Sequence, residues 1–210
     1  MSFLTAWATV SIICLLGAMI PGASFAMILR NSIANSRKTG IFTAVGLGLG
    51  MVIYASLTIF GLSALITEHL LFAHLIKWFG AVYLLYIGIL CLMAKPKADD
   101  VFSKLGHANH LPAFKAIRMG FITTLLNPKV ILFFIALFSQ FLHPGAALWQ
   151  QGILAITISL IEFGWFSFVA IVLTHPFLQK RYTHIAHWIE RAAGLVLIIL
   201  AIELAFSHIL

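Results

Sequence analysis

Charge is what this chain has least of. Only 9% of its 210 residues are charged, just 6 are acidic, and 62% are hydrophobic. A soluble domain of this length cannot hide so much apolar surface from water, so a water-soluble globule is excluded. Cysteine is nearly absent as well. Cys14 and Cys91 both fall inside apolar runs, as small core-filling residues, which rules out a disulfide framework and a paired-thiolate metal site. No phosphate-binding loop, nucleophile elbow or HExxH helix is present, so no enzymatic centre and no cofactor are expected. The formal charge of +7 comes from basic residues scattered through short loops. With no stacking aromatic platform between them, nucleic acid is not the partner.

Long apolar runs are what the chain has instead. Runs of at least 18 residues recur along it, each enough to cross a hydrocarbon core roughly 30 Å thick. They predict an all-α membrane protein with six transmembrane helices, at 3–29, 39–66, 70–93, 116–142, 148–173 and 186–207. The first run has no basic flank and exceeds a signal segment in length, so it reads as a retained span. The one extended polar stretch, 94–115, divides the chain into residues 1–105 and 106–210 with three spans each. Units with an odd number of spans insert in opposite senses, giving two inverted three-helix repeats.

Basic residues set the orientation. Arg30, Arg37 and Lys38 occupy the first loop; Lys95, Lys97, Lys104, Lys115 and Arg118 surround the third; Lys180, Arg181 and Arg191 cluster at the fifth. The second and fourth loops carry almost none. The positive-inside rule then puts the odd loops in the cytoplasm and both termini outside, in a cytoplasmic (inner) membrane. Trp7, Trp78 and Trp149 fall at the outer interface, where aromatic side chains anchor spans.

Proline marks the functional region. Of 6 prolines, only Pro21 and Pro128 lie inside spans, each in the first span of its half. Pro21 precedes Arg30 by nine residues, about 13 Å of helix, and Pro128 follows Arg118 by ten, about 15 Å. Helices 1 and 4 are therefore expected to break at matched depth. Proline removes an N–H and frees a carbonyl four residues earlier, and Gly22 is expected to supply unusual dihedrals. Freed groups cannot face lipid and must line protein or a wet cavity. Paired breaks present half-helix ends of both polarities, which suits a small zwitterionic substrate. Ser24 and Asn127 are placed to add hydrogen bonds. The plain alternative is a pair of packing kinks.

Glu162 lies midway along the fifth span. An ionised carboxylate there is costly, so it is protonated, paired, or turned to a wet cavity. A group so placed suits proton coupling. Lys129 is the nearest countercharge by sequence, for Glu162 or for a substrate carboxylate; a static Glu162–Lys129 pair is the structural alternative. Gly46, Gly48 and Gly50 read as close helix packing, and glycine-rich faces also suit a homodimer. Tyr54, Tyr83 and Tyr86 are candidates for cavity walls. His184, His187 and Glu190 share three-residue spacing, but an interfacial position explains them better than a metal.

Pro21-Gly22-Ala23-Ser24-Phe25 through Arg30-Asn31-Ser32 and Arg37-Lys38-Thr39-Gly40 resembles the first-helix signature of the LysE/RhtB family of amino-acid exporters. Gly80-Ala81-Val82-Tyr83-Leu84-Leu85-Tyr86-Ile87-Gly88 is similar to its third-helix motif, and Phe121 through Asn127-Pro128-Lys129 and Phe133-Phe134 to its fourth. The resemblance implies proton-driven export of amino acids or derivatives such as threonine, homoserine or homoserine lactone. The breaks and the intramembrane charges together name Pro21, Gly22, Ser24, Tyr83, Asn127, Pro128 and Lys129 as candidates around the substrate, with Glu162 to carry the proton. Ala23 and Ser24 stand where the family usually has a second proline and then Asn or Asp. Alternatives from other classes are a cation or metal exporter on the same fold, or a structural, lipid-interacting membrane protein.

Overall fold

The computed structural model describes residues 3–57, 70–95, 111–141 and 147–206, and among them every regular element is helical. In chain order the helices are α1 (Phe3–Met19), α2 (Ala23–Ala34), α3 (Arg37–Leu57), α4 (Leu70–Leu92), α5 (Ala113–Leu125), α6 (Pro128–Phe141), α7 (Leu148–Val172) and α8 (Pro176–Phe206). Two of them, Arg37–Leu57 and Leu148–Val172, are long and apolar enough to cross a bilayer alone. Two pairs qualify only when joined. Phe3–Met19 and Ala23–Ala34 meet at 59°, and Ala113–Leu125 meets the following helix at 54°.

Eight helices therefore stand where six were expected among the described residues, because the runs at 3–29 and 116–142 are each interrupted. Other boundaries move as well. The last helix starts at Pro176, ten residues before the expected 186, since proline at a first helical position costs no hydrogen bond. The stretch 58–69 and most of the 94–115 linker lie outside the described residues.

Small residues bring α3, α5 and α7 together. A Cβ on Gly46 would sit 2.0 Å from the Ile117 carbonyl oxygen, and one on Gly120 2.1 Å from that of Thr43. Backbone therefore touches backbone where α3 passes α5, as small-residue interfaces in membranes allow. On the opposite side of α3, Gly40 meets Ala170, and Gly48 meets Ser159 and Phe163. Gly88 and Gly194 do the same for α4 against α8. Two apolar clusters result. One gathers Val10, Ile13, Phe134, Ile158 and Leu197; the other gathers Phe25, Ile28, Leu47, Phe166 and Val169.

The ends of the helices sort by charge. Phe3 packs edge-on to Trp149, so α1 and α7 begin together, and the Trp7 indole donates to Thr157 Oγ1 at 3.0 Å. At the other end Arg37 donates to Thr174 Oγ1 at 2.6 Å, and Arg191 donates twice to the Ala94 carbonyl. The first, third and fifth connections thus share the basic end of the bundle.

Candidate functional site at the paired helix breaks

The two breaks touch. Asn127 Nδ2 lies 3.4 Å from Ser24 Oγ, and both side chains are buried. Lys129, just past the second break, extends into the first and donates to the carbonyls of Gly17 at 3.1 Å and Ile20 at 2.9 Å.

Backbone accounting explains these contacts. Pro21 has no N–H, so the carbonyl four residues earlier, that of Gly17, loses its helical donor. The Lys129 ammonium replaces it. The Ile20 carbonyl, stranded by the bend, takes another proton of the same group. At the second break the Thr124 carbonyl accepts from Asn127 N at 3.1 Å, while Tyr54 OH donates a short hydrogen bond to the Leu125 carbonyl. Asn127 also caps α6: its Oδ1 accepts the Lys129 N–H at 3.1 Å, with Pro128 in the first helical position.

One end remains open. Helix α2 begins at Gly22 without a side-chain cap, and its first satisfied turn bond is Ala26 N–H to the Gly22 carbonyl. Its leading N–H groups are the unspent donors of the two breaks, and they carry the positive end of the helix dipole.

Gly22, Ser24, Phe25, Asn127, Lys129 and Glu162 line one cavity of about 500 Å³, part of it open to the surroundings. Cys14, Met51, Phe133, Phe134, Ile158 and Phe166 contribute most of the rest of its wall. Glu162 is buried, and among the described residues nothing hydrogen-bonds or ion-pairs to it directly. The carboxylate therefore faces the cavity beside an ammonium that is already committed to carbonyls.

The sequence candidates divide accordingly. Gly22, Ser24, Asn127, Lys129 and Glu162 converge on the cavity. Pro21 and Pro128 shape the breaks without lining it. Tyr83 packs against the apolar core on α4, Tyr86 is exposed, and the tyrosine that reaches a break is Tyr54. Lys129 lines the cavity but makes no ion pair with Glu162, because the stranded carbonyls of α1 are nearer partners. Gly22 has φ −165°, extended backbone open to any residue, and an added Cβ would meet only Lys129, at 3.7 Å. Its expected special dihedrals are not used. His184 is exposed and His187 buried, so their shared spacing does not bring them to one surface. Of the wall phenylalanines, Phe25, Phe133 and Phe134 fall within the motifs that carry the family resemblance, whereas Phe166 gave no sequence signal beyond ordinary hydrophobicity.

Comparison with known proteins identifies the family. The family model described as LysE type translocator matches residues 15–208. The threonine efflux protein of Salmonella typhi is 30% identical over 203 residues, covering 95% of this chain and 97% of that protein. The threonine efflux protein of Escherichia coli (strain K12) is 28% identical over 202 residues, covering 95% and 97%. A membrane protein of the same organism, YahN, is 29% identical over 189 residues, covering 90% and 84%. No solved structure matches. With a family match running across both breaks and nearly the whole length, the chain belongs to the LysE type translocators.

Proposed function

We propose that this protein exports small amino acids or their derivatives across the bacterial inner membrane in exchange for protons. The observation that carries the reading is the cavity at the two breaks, where an open helix N-terminus, an ammonium and an unpaired carboxylate converge. A substrate carboxylate would sit against the leading N–H groups of α2 and the Lys129 ammonium, as anions do at helix N-termini. The substrate ammonium would take Glu162, since Lys129 and Tyr54 already occupy the carbonyls that sequence reasoning had offered it. The threonine efflux relatives favour a substrate of threonine or homoserine size.

Coupling follows from one carboxylate with two claimants. Ionised, Glu162 holds the ammonium; protonated, it releases it. Each outward delivery is thereby tied to an inward proton. The architecture we propose around this step is six spans in two inverted repeats, 1–105 and 106–210, with both termini outside. Part of the helix pairing fits that symmetry: exchanging the halves turns α3 against α5 into α7 against α1, and α3–α7 and α4–α8 map onto themselves, whereas α4 against α6 and α2 against α3 have no comparable counterpart among the described residues.

The test is uptake into inverted vesicles under a defined pH gradient with the interior acidic. The wild-type protein should move labelled threonine or homoserine but not divalent metal ions. Glu162→Gln should lose gradient-driven flux, and its substrate affinity should no longer fall with acidification as that of the wild type does. Gradient-driven flux unchanged in the Gln variant would exclude Glu162 as the exchanging group.

A further inference from the structure

A second hollow lies on the outer flank of the bundle at its basic end. Trp165, Phe168, Val172 and Leu173 of α7 face Leu178, Arg181, Tyr182 and Ile185 of α8 across about 590 Å³, part of it open to the surroundings. Apart from Arg181 and the tips of Trp165 and Tyr182, its described walls are hydrocarbon. We infer that this groove binds one anionic phospholipid of the cytoplasmic leaflet, its acyl chain in the cleft and its phosphate on Arg181.

Three observations fix the class of occupant. The first is depth. Helix α8 has 31 residues, about 46 Å at helical rise, which exceeds the roughly 30 Å hydrocarbon core. Its first turn would then reach the headgroup layer, where Phe177 is exposed. The second is charge. Arg181 is the one charged group among the described residues lining the groove, and its guanidinium is held 5.6 Å over the exposed Phe177 ring. A positioned guanidinium suits a phosphate diester and gains little from a neutral headgroup. The third is an unspent donor. Trp165 Nε1 is buried and has no hydrogen-bond partner, although the ring lines the cleft. A buried donor without an acceptor is costly, and a lipid ester carbonyl lying deeper than the phosphate supplies one. Trp165 precedes Val172 by seven residues, about 10 Å further into the membrane.

The site also reaches the translocation cavity. Tyr182, a wall of this groove, stacks on Phe25, a wall of the central one, with centroids 5.2 Å apart and planes at 21°. A bound lipid thus presses on the back of the ring pair that closes the cavity on this flank. Lipid binding itself does not depend on which solute is exported.

Native mass spectrometry of the full chain, released from bilayers of equal phosphatidylglycerol and phosphatidylcholine, tests this directly. The wild type should retain one phosphatidylglycerol, Arg181→Gln should lose it, and Lys115→Gln, altered at an exposed lysine of the same end, should keep it. Independently, phosphatidylglycerol with brominated chains should quench an emission component present in the wild type and absent in Trp165→Phe. Equal retention of both lipids, or retention unchanged by Arg181→Gln, overturns the inference. So does quenching by brominated phosphatidylcholine to the same extent.

Discussion

Lys129 shows how one side chain can be half legible. Its place beside Pro128 marked it as functional from sequence, and Asn127-Pro128 reads directly as a capping residue followed by a first-turn proline. Its target did not follow, because the Gly17 and Ile20 carbonyls lie over a hundred residues away and become acceptors only once α1 bends. Lys129→Met should strand both carbonyls beside the cavity and cost about 2 kcal/mol, seen as earlier melting in detergent; Lys129→Arg should recover part of it. Asn127→Ala should cost about 1 kcal/mol through loss of the α6 cap, whereas Asn127→Asp keeps the acceptor and the stability. The third-helix motif favoured Tyr83 over Tyr54 in sequence, yet Tyr54 is the one that reaches a break, because which neighbour an aromatic residue in an apolar run meets is set by the packing.

At the scale of the element, the interruptions were readable and their geometry was not. Proline forbids the regular bond pattern, so Pro21 and Pro128 announced where the helices part. The bends of 59° and 54° depend on which side chains receive the freed groups. Glycine divides in the same way. The motif made Gly22 look conformationally essential, yet the tight positions are Gly46 and Gly120, where an added Cβ would strike backbone oxygen at 2.0 and 2.1 Å. Gly46→Ala and Gly120→Ala should each prevent α3 and α5 from closing, with loss of folded protein in detergent extracts. Gly22→Ala should fold, and Gly152→Ala, with nothing within 4 Å of the added methyl, should be silent. Failure of Gly22→Ala to accumulate as folded protein would contradict the open space at that position.

For the molecule as a whole, hydrophobicity and loop charge were enough to read a helical membrane protein and the end that gathers its basic residues. The cavity was not readable, because it is assembled from α1, α2, α3, α6, α7 and the two breaks at once. Wall residues outside the quoted motifs, such as Met51, Ile158 and Phe166, look in sequence like any other apolar filling. Reporter fusions at either terminus should be active only outside the cytoplasm; a cytoplasmic signal from both would reverse the orientation we propose.

The seam at Gly46 and Gly120 has a mechanical consequence. Main chain pressed to main chain cannot slide without large steric cost, so α3 from the first half and α5 from the second travel as one stiff plate. Halves defined by sequence are then not the bodies that tilt, and each mobile unit borrows helices from both. Spin labels at exposed Lys38 and Lys115, one on each helix of that plate, should keep a constant separation with and without solute, however far the rest of the bundle swings.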